Sequence, residues 1–308
     1  MRVPAAAAIA DDAFPLVPRH RLQGLELGPF RSVRRGSGSD PAGSRPYEPG
    51  DDVRTIDWGA SARLSAARNA DEFVVRERFA EQAPRVVVVT DRRRGMALYP
   101  EPWLSKPSVL ATCERLIGES AFRARGLLGG LHFGSGDPSW LAPSGNPRAW
   151  RTRDLEPGFG APAGSLADGL DRLAHSRTLR AGSFVFVLSD FLDPVPDEAW
   201  LAAAARGWDL VPVIVQDPTW EASFPVETGG LVLPLVDAGT GTPSLVRLTT
   251  EDARARRSAH ESRLARLVGG LAELGLDPIR LTCSDPDAIL AAFVAWATAR
   301  LAPAGRAW

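Results

Sequence analysis

The sequence predicts an α/β protein with a doubly wound, mostly parallel sheet and a small irregular subdomain at its N terminus. The 308 residues are 44% hydrophobic and 24% charged, a composition typical of globular proteins with a sizeable core. From residue 85 onwards, short β-branched runs alternate with segments of helical periodicity, as in parallel sheets with helical crossovers. Residues 1–84 are instead rich in Pro, Gly and Arg and have no long helical period.

We therefore divide the chain into an N-terminal subdomain, 1–84, and a sheet domain, 85–308. The subdomain is expected to contain turns, short extended pieces and one helix near 60–68. Predicted strands of the second domain are RVVVVT (85–90), GLLGGLHF (126–133), a weaker stretch around Trp140, SFVFVLSDF (183–191), DLVPVIVQD (209–217) and DPIRLTC (277–283). Predicted helices cover 108–124, 165–175, 197–207, 250–274 and 285–302, and a hairpin with a Gly-Thr turn covers 230–249.

Local signals support several of these elements. Apolar residues recur at helical spacing over 108–124, and Pro107 suits the first turn of that helix. Gly207 suits a C-terminal cap. Pro212 lies within the strand 209–217 and predicts an edge strand or a bulge, because proline cannot donate a backbone hydrogen bond.

Charge and composition exclude several classes of protein. The net charge is −1, so there is no basic footprint for nucleic acid. Cys113 and Cys283 lie far apart and are expected to be free thiols in a reducing compartment. Apolar runs are too short to span a bilayer, and the N terminus is too weakly hydrophobic for a secretion signal. We expect a cytoplasmic protein without a cofactor. Lys106 is the single lysine, which we attribute to a coding bias towards arginine.

The densest polar segment is SRPYEPGDDVRTIDWGASAR, residues 44–63. Its Pro49-Gly50 pair predicts a tight turn. Ion pairs are expected between the acids and the arginines of the segment, which are Asp51, Asp52, Asp57, Arg45, Arg54 and Arg63. Ile56 and Trp58 would anchor the turn against the larger domain. The acids lack an evident base, nucleophile or metal partner, which favours a structural role.

Two further acids follow predicted strands. Asp91 comes after the first strand of the sheet domain and Asp190 after SFVFVLS, so both should lie at the carboxyl edge, where ligands bind in such sheets. Paired carboxylates there could bind Mg²⁺. The run DRRRGM, 91–96, lies beside Arg85 and offers an alternative, an anion site, although charge runs are more often solvated surface.

The polar segment resembles the DUF58 family, whose members carry a von Willebrand factor A-like domain. The resemblance rests on an Arg-x-Tyr-x-Pro-Gly-Asp-Asp-x-Arg-x-Ile-Asp-Trp-x-x-x-Ala-Arg pattern, matched at Arg45, Tyr47, Pro49, Gly50, Asp51, Asp52, Arg54, Ile56, Asp57, Trp58, Ala62 and Arg63. The upstream SGSD, residues 37–40, is similar to the family's Ser/Gly-rich approach. The order of strands and helices from 85 to 301 is compatible with an A-like domain.

The resemblance also implies a metal-ion-dependent adhesion site, Asp-x-Ser-x-Ser after the first strand with a later aspartate. Asp91 and Asp190 match its acids, but Arg93 and Gly95 stand where the serines should be. A divalent ion would lose two hydroxyl ligands and meet a repelling guanidinium. We therefore expect a degenerate site without metal, in which Arg93 or a neighbouring arginine pairs with Asp91 or Asp190.

The leading functional hypothesis is a non-enzymatic binding module. The family resemblance implies a partnership with MoxR-type AAA+ ATPases in the assembly or maturation of other proteins, through the motif face or the DRRRGM face. A competing hypothesis is a metal-dependent hydrolase that uses Asp51, Asp52 and Asp57. Nucleic-acid binding through the arginines is a third, weaker hypothesis.

Overall fold

The architecture is mixed α/β. A computed structural model describes residues 13–19, 25–49, 51–68, 72–97, 104–133, 138–151, 158–176, 178–237 and 242–301. Its strands are β1 (Leu25–Pro46), β2 (Val74–Ala83), β3 (Arg85–Thr90), β4 (Leu127–His132), β5 (Ser139–Ser144), β6 (Phe184–Ser189), β7 (Asp209–Val215), β8 (Val232–Val236), β9 (Pro243–Arg247) and β10 (Ile279–Leu281). Its helices are α1 (Trp58–Arg68), α2 (Lys106–Arg123), α3 (Pro147–Arg151), α4 (Ser165–His175), α5 (Asp197–Ala205), α6 (Thr250–Glu273) and α7 (Pro286–Leu301).

Six strands form the central sheet in the order β10-β7-β6-β3-β4-β5. Every neighbouring pair is parallel except β4 and β5, which are antiparallel. The weak stretch around Trp140 is thus a strand that reverses direction at the edge. The predicted mostly parallel sheet is confirmed.

Side-chain alternation along β3 divides the core between the two faces of the sheet. Val86 and Val88 pack with α2 and α7 on one face. Val87 and Val89 pack with α4, α5 and α6 on the other. Because a strand covered on both faces must be apolar at every position, the unbroken valine run of β3 belongs in this central place. No helix within the described ranges is long and apolar enough to cross a membrane.

The N-terminal region differs from the prediction in two ways. Instead of short extended pieces, β1 and β2 form a long antiparallel ribbon, whose register shifts accommodate the Pro- and Gly-rich sequence of β1. The second difference is that Phe14 and Leu16, assigned to the subdomain 1–84, lie in the core of the sheet domain. Their burial shows that residues 13–17 pack with the sheet domain. The predicted helix near 60–68 is present as α1.

The prediction from Pro212 is wrong, because β7 is an interior strand between β6 and β10. The three-residue β10 pairs only with Val213–Val215, so no strand lies beside Pro212 on that side. Because no strand lies there, the backbone N–H that Pro212 lacks is not needed for a hydrogen bond between strands. The hairpin of β8 and β9 is present as predicted, and most of its Gly-Thr turn lies outside the described residues.

Phe14 offers a test of the N-terminal anchor. Its ring is buried and contacts Phe293 at a centroid distance of 4.6 Å and Phe186 at 6.2 Å. Phe14→Ala is expected to lower the free energy of unfolding by about 3 to 5 kcal/mol, the cost of a large core cavity. Urea denaturation measures it. Leu201→Ala, at an exposed position of α5, is the control, and an equal loss in both variants would contradict the anchor.

Candidate functional site

Two acids meet at the carboxyl edge of the sheet, where β3 and β6 lie side by side. Asp91 and Asp190 directly follow these strands, and both are buried. The Asp91 N–H donates to the Leu188 carbonyl at 2.9 Å, and the Ser189 hydroxyl donates to the Asp91 carboxylate at 2.6 Å. The chain thus holds two carboxylates close together in a poorly solvated place, where they need a compensating cation.

Arg93 is one such cation. Its Nη2 lies 2.5 Å from Asp91 Oδ2 and 2.9 Å from Asp190 Oδ1, and its Nε also donates to Asp91. The backbone N–H of Arg93 donates to Asp91 Oδ1 at 3.0 Å. Asp193 lies further out, at 3.7 Å from Nη1. The predicted pairing of an arginine with Asp91 or Asp190 is confirmed, and Arg93 pairs with both.

Lys106 is the second cation, and the sequence analysis missed it. It begins α2 and is completely buried. Its Nζ lies 2.8 Å from Asp190 Oδ2 and 2.5 Å from Glu221 Oε1, and it also donates to the Gly95 carbonyl at 3.3 Å. The available signal was the single lysine in a chain whose other basic residues are arginines, because a compact ammonium fits where a planar guanidinium does not.

Mutual pairing outweighs desolvation for three of these groups. Burial opposes the charge of Asp190, but Lys106 and Arg93 hold its pKa below the ordinary value. Burial likewise opposes the charges of Lys106 and Arg93, yet the neighbouring carboxylates raise both pKa values. Glu221 behaves differently, because burial raises its pKa despite the attraction of Lys106. The network therefore favours the ionised form of Asp190, whereas burial favours the protonated form of Glu221.

A pocket of about 650 Å³ opens over this network. It is lined by Arg93, Arg94, Gly95, Gly160, Ala161, Pro162, Ala163, Asp190, Leu192 and Asp193. Among the residues that the structure describes, no group of three or more His, Cys, Asp and Glu side chains is placed to hold a metal ion.

The polar motif is built around three aspartates with separate tasks. Arg45 holds Asp51 through two hydrogen bonds of 2.5 and 2.7 Å, and this pairing lowers the pKa of Asp51. Asp52 caps the short 3-10 helix Val53–Thr55 by accepting from the Arg54 N–H. These two acids close the turn after Pro49. Gly50 lies outside the described residues.

Asp57 joins α1 to β2. Its Oδ1 accepts from the Ala60 N–H at 3.0 Å and so caps the start of α1. Its Oδ2 accepts from Arg76 Nε at 2.8 Å, and this hydrogen bond is the main cause of a strongly lowered pKa. The partner of Asp57 is therefore an arginine of β2, which lies outside the motif.

Three expectations for the motif are wrong. Within the described ranges, Arg54 and Arg63 form no ion pair, since the acids are taken by Arg45 and Arg76 and by backbone N–H groups. Trp58 does not anchor the motif against the sheet domain, because its side chain is 64% exposed.

The aromatic residues of the motif instead form a ridge with Phe73, which precedes β2; Trp58 and Phe73 are exposed and Tyr47 is half-buried. Phe73 is 44% exposed and makes edge contacts with Trp58 and Tyr47, at centroid distances of 6.0 and 6.4 Å. Val53 is also exposed. We call Tyr47, Trp58 and Phe73 the aromatic ridge.

A family model described as "Protein of unknown function DUF58" matches residues 43–266. The chain belongs to this family. The matched region of this DUF58 protein contains both the polar motif and the buried network at the strand ends.

Relatives of this DUF58 protein include the uncharacterized protein Rv1480 of Mycobacterium tuberculosis, 26% identical over 262 residues, which are 83% of this chain and 79% of that protein. The uncharacterized protein Mb1516 of Mycobacterium bovis matches with the same identity and coverage. Among solved structures, the conserved hypothetical protein BatB from Bacteroides thetaiotaomicron is 16% identical, with 71% of this chain and 98% of that chain covered and a TM-score of 0.39. An aerotolerance-related membrane protein from Bacteroides fragilis is 14% identical, with 70% and 99% covered and the same TM-score.

The buried pairing of Arg93 predicts a large effect on stability. Arg93→Met would leave Asp91 and Asp190 without their shared guanidinium, and the free energy of unfolding is expected to fall by about 3 to 5 kcal/mol. Arg93→Lys should lose less, because one charge remains. Arg254→Met, an exposed position of α6, is the control in urea denaturation. A loss for Arg93→Met no larger than the control's would contradict the role of the pair.

The lowered pKa of Asp190 predicts a dependence on pH. Its ionised form stabilises the fold above the unfolded-state pKa of about 3.9, and this contribution is lost as the pH falls through the lower folded-state pKa. The difference in unfolding free energy between wild type and Asp190→Asn should be constant near neutrality and shrink below about pH 4. Glu221, with its raised pKa, acts in the opposite direction, and Asp190 helps to raise that pKa, so the comparison is made with Glu221→Gln in both proteins. Urea denaturation from acid to neutral pH measures the difference, and a constant value throughout would contradict the assignment.

Proposed function

We propose that this DUF58 protein is a non-enzymatic protein-binding module, an adaptor or co-chaperone that works in the cytoplasm with a MoxR-type AAA+ ATPase in the assembly or maturation of other proteins. The observation that carries the proposal is the aromatic ridge. Trp and Tyr are enriched at the energetic centres of protein interfaces, and neighbouring exposed apolar side chains such as Trp58 and Phe73 are typical of interaction surfaces.

The polar residues of the motif support a binding role because they stabilise the backbone that carries Trp58. Asp51 and Asp57 accept charge-assisted hydrogen bonds from Arg45 and Arg76, so the turn and the start of α1 are held in one arrangement. A side chain on such a scaffold loses little conformational freedom on binding. The motif thus fixes the position of Trp58 in advance of the encounter with a partner.

The strand-end network supports an A-like domain whose adhesion site is degenerate. Arg93 and Lys106 supply positive charge beside Asp91 and Asp190, where an adhesion site of this type would hold a divalent cation. A cation entering there would have to displace two buried, paired basic groups. We infer that partner binding by this protein does not require a divalent ion.

No observation favours the competing metal-dependent hydrolase. Asp51, Asp52 and Asp57 are each engaged by a guanidinium, a backbone N–H or both. Carboxylates that cap and brace a turn in this way are not available as a shared ligand set.

The ridge provides the test of the proposed function. Binding of the full chain to a purified MoxR-type ATPase from the same organism is measured by biolayer interferometry. Trp58→Ala is expected to weaken the complex by about tenfold or more, as for an interface hot spot. Because Trp58 is exposed, the melting temperature should change little.

Leu245→Ala is the matched control, because Leu245 is an exposed apolar residue of β9, outside the motif. It should bind within about twofold of wild type. Excess EDTA should leave the affinity unchanged. Equal affinity of wild type and Trp58→Ala would contradict binding through the ridge, and loss of binding in EDTA would contradict the cation-independent reading.

A further inference from the structure

We propose that Arg92 lies at the base of a binding site for a small organic anion, one that carries a single carboxylate or phosphate group. The site is a pocket of about 400 Å³ beside α2 and α3, a size suited to a small molecule. It is lined by Arg92, Pro107, Ala111, Glu114, Arg115, Gly118, Glu119, Trp150 and Arg151. The proposal is independent of the aromatic ridge and of the ATPase.

Arg92 and Arg93 are neighbours in sequence but point to different places. Arg93 lies over Asp190, at the end of β6. Arg92 instead reaches Glu114 of α2, whose Oε1 also accepts from the Thr90 hydroxyl at 2.7 Å. The strand end therefore separates the arginine run into two sites, one with the buried Arg92 and one with the partly buried Arg93.

The two guanidinium groups are satisfied to different degrees. Arg93 makes several hydrogen bonds, as short as 2.5 Å, to two carboxylates. Arg92 is only 8% exposed, yet its contact with Glu114 is long, at 3.3 Å, and its buried Nε has no hydrogen-bond partner in the described structure. A buried Nε–H without an acceptor is costly, and an added oxyanion that accepted from it would remove that cost.

The surroundings of Arg92 favour such a ligand. Phe159 lies over the guanidinium at 5.1 Å and helps to fix its plane. Arg115 and Arg151 line the same pocket, and Arg151 pairs with Glu119 at 2.9 Å. Among the described lining residues there are thus three guanidinium groups and two carboxylates. Trp150, Ala111 and Pro107 add apolar wall, which suits an organic anion better than a bare ion.

Calorimetric titration of the full chain at constant ionic strength tests the site, with benzoate and phenyl phosphate as probes and neutral benzamide as the matched control. We expect at least one anion to bind and benzamide not to bind. The stronger of the two anions identifies the carboxylate or the phosphate as the recognised group. Binding of neither anion, or equal binding of benzamide, would overturn the proposal.

Variants locate the binding. Arg92→Met should weaken the affinity for the better anion by about tenfold or more, the loss of a charge-assisted hydrogen bond. In case this buried change impairs folding, Arg115→Gln at the exposed rim is compared with Arg123→Gln, exposed on the same helix outside the pocket. Arg115→Gln should weaken binding and Arg123→Gln should not. Wild-type affinity in a folded Arg92→Met, or equal affinities of the two rim variants, would overturn the assignment.

Discussion

The structure depends on the balance of charge among buried side chains at the carboxyl edge of the sheet. Asp91 and Asp190 are buried where β3 and β6 end, and buried carboxylates remain ionised only beside cations. Arg93 comes from the chain that follows β3, and Lys106 comes from the start of α2. The charges therefore connect two central strands with a helix that covers them. The Lys106 ammonium also donates to Glu221, and Glu221 accepts from the Asp217 N–H. Lys106 therefore also helps to position the segment after β7.

The strand-end charge network and the aromatic ridge differ in what they offer to a partner. The strand-end groups satisfy one another, so their chemistry is directed inward, towards the stability of the sheet. The motif uses its acids in a similar way, because Asp51 and Asp57 are paired with arginines that brace the turn. What remains for a partner is apolar and exposed, namely Trp58 and Phe73. The protein binding proposed above is compatible with this distribution, whereas hydrolysis needs polar groups directed towards a substrate.

The arginine run shows how one short sequence serves different purposes. Arg93 pairs with two acids, Arg92 is buried with an Nε that has no hydrogen-bond partner, and Arg94 is exposed. A uniform reading of the run, as solvated surface or as one anion site, would miss these differences. The environment of each side chain, set by which neighbour on the sheet it faces, decides its chemistry.

The sequence by itself determined the alternation of strands and helices, because buried strands and amphipathic helices carry local periodic patterns. It located α4 to the residue, placed Asp91 and Asp190 at one edge of the sheet and indicated that an arginine would pair with them. Only the tertiary structure decided the partners. Asp57 pairs with Arg76 of β2, and Lys106 binds two acids distant in sequence. Phe14 lies in the core of the sheet domain, and Trp58 is exposed. Pairing and burial depend on which elements meet in space, and short-range patterns do not record that.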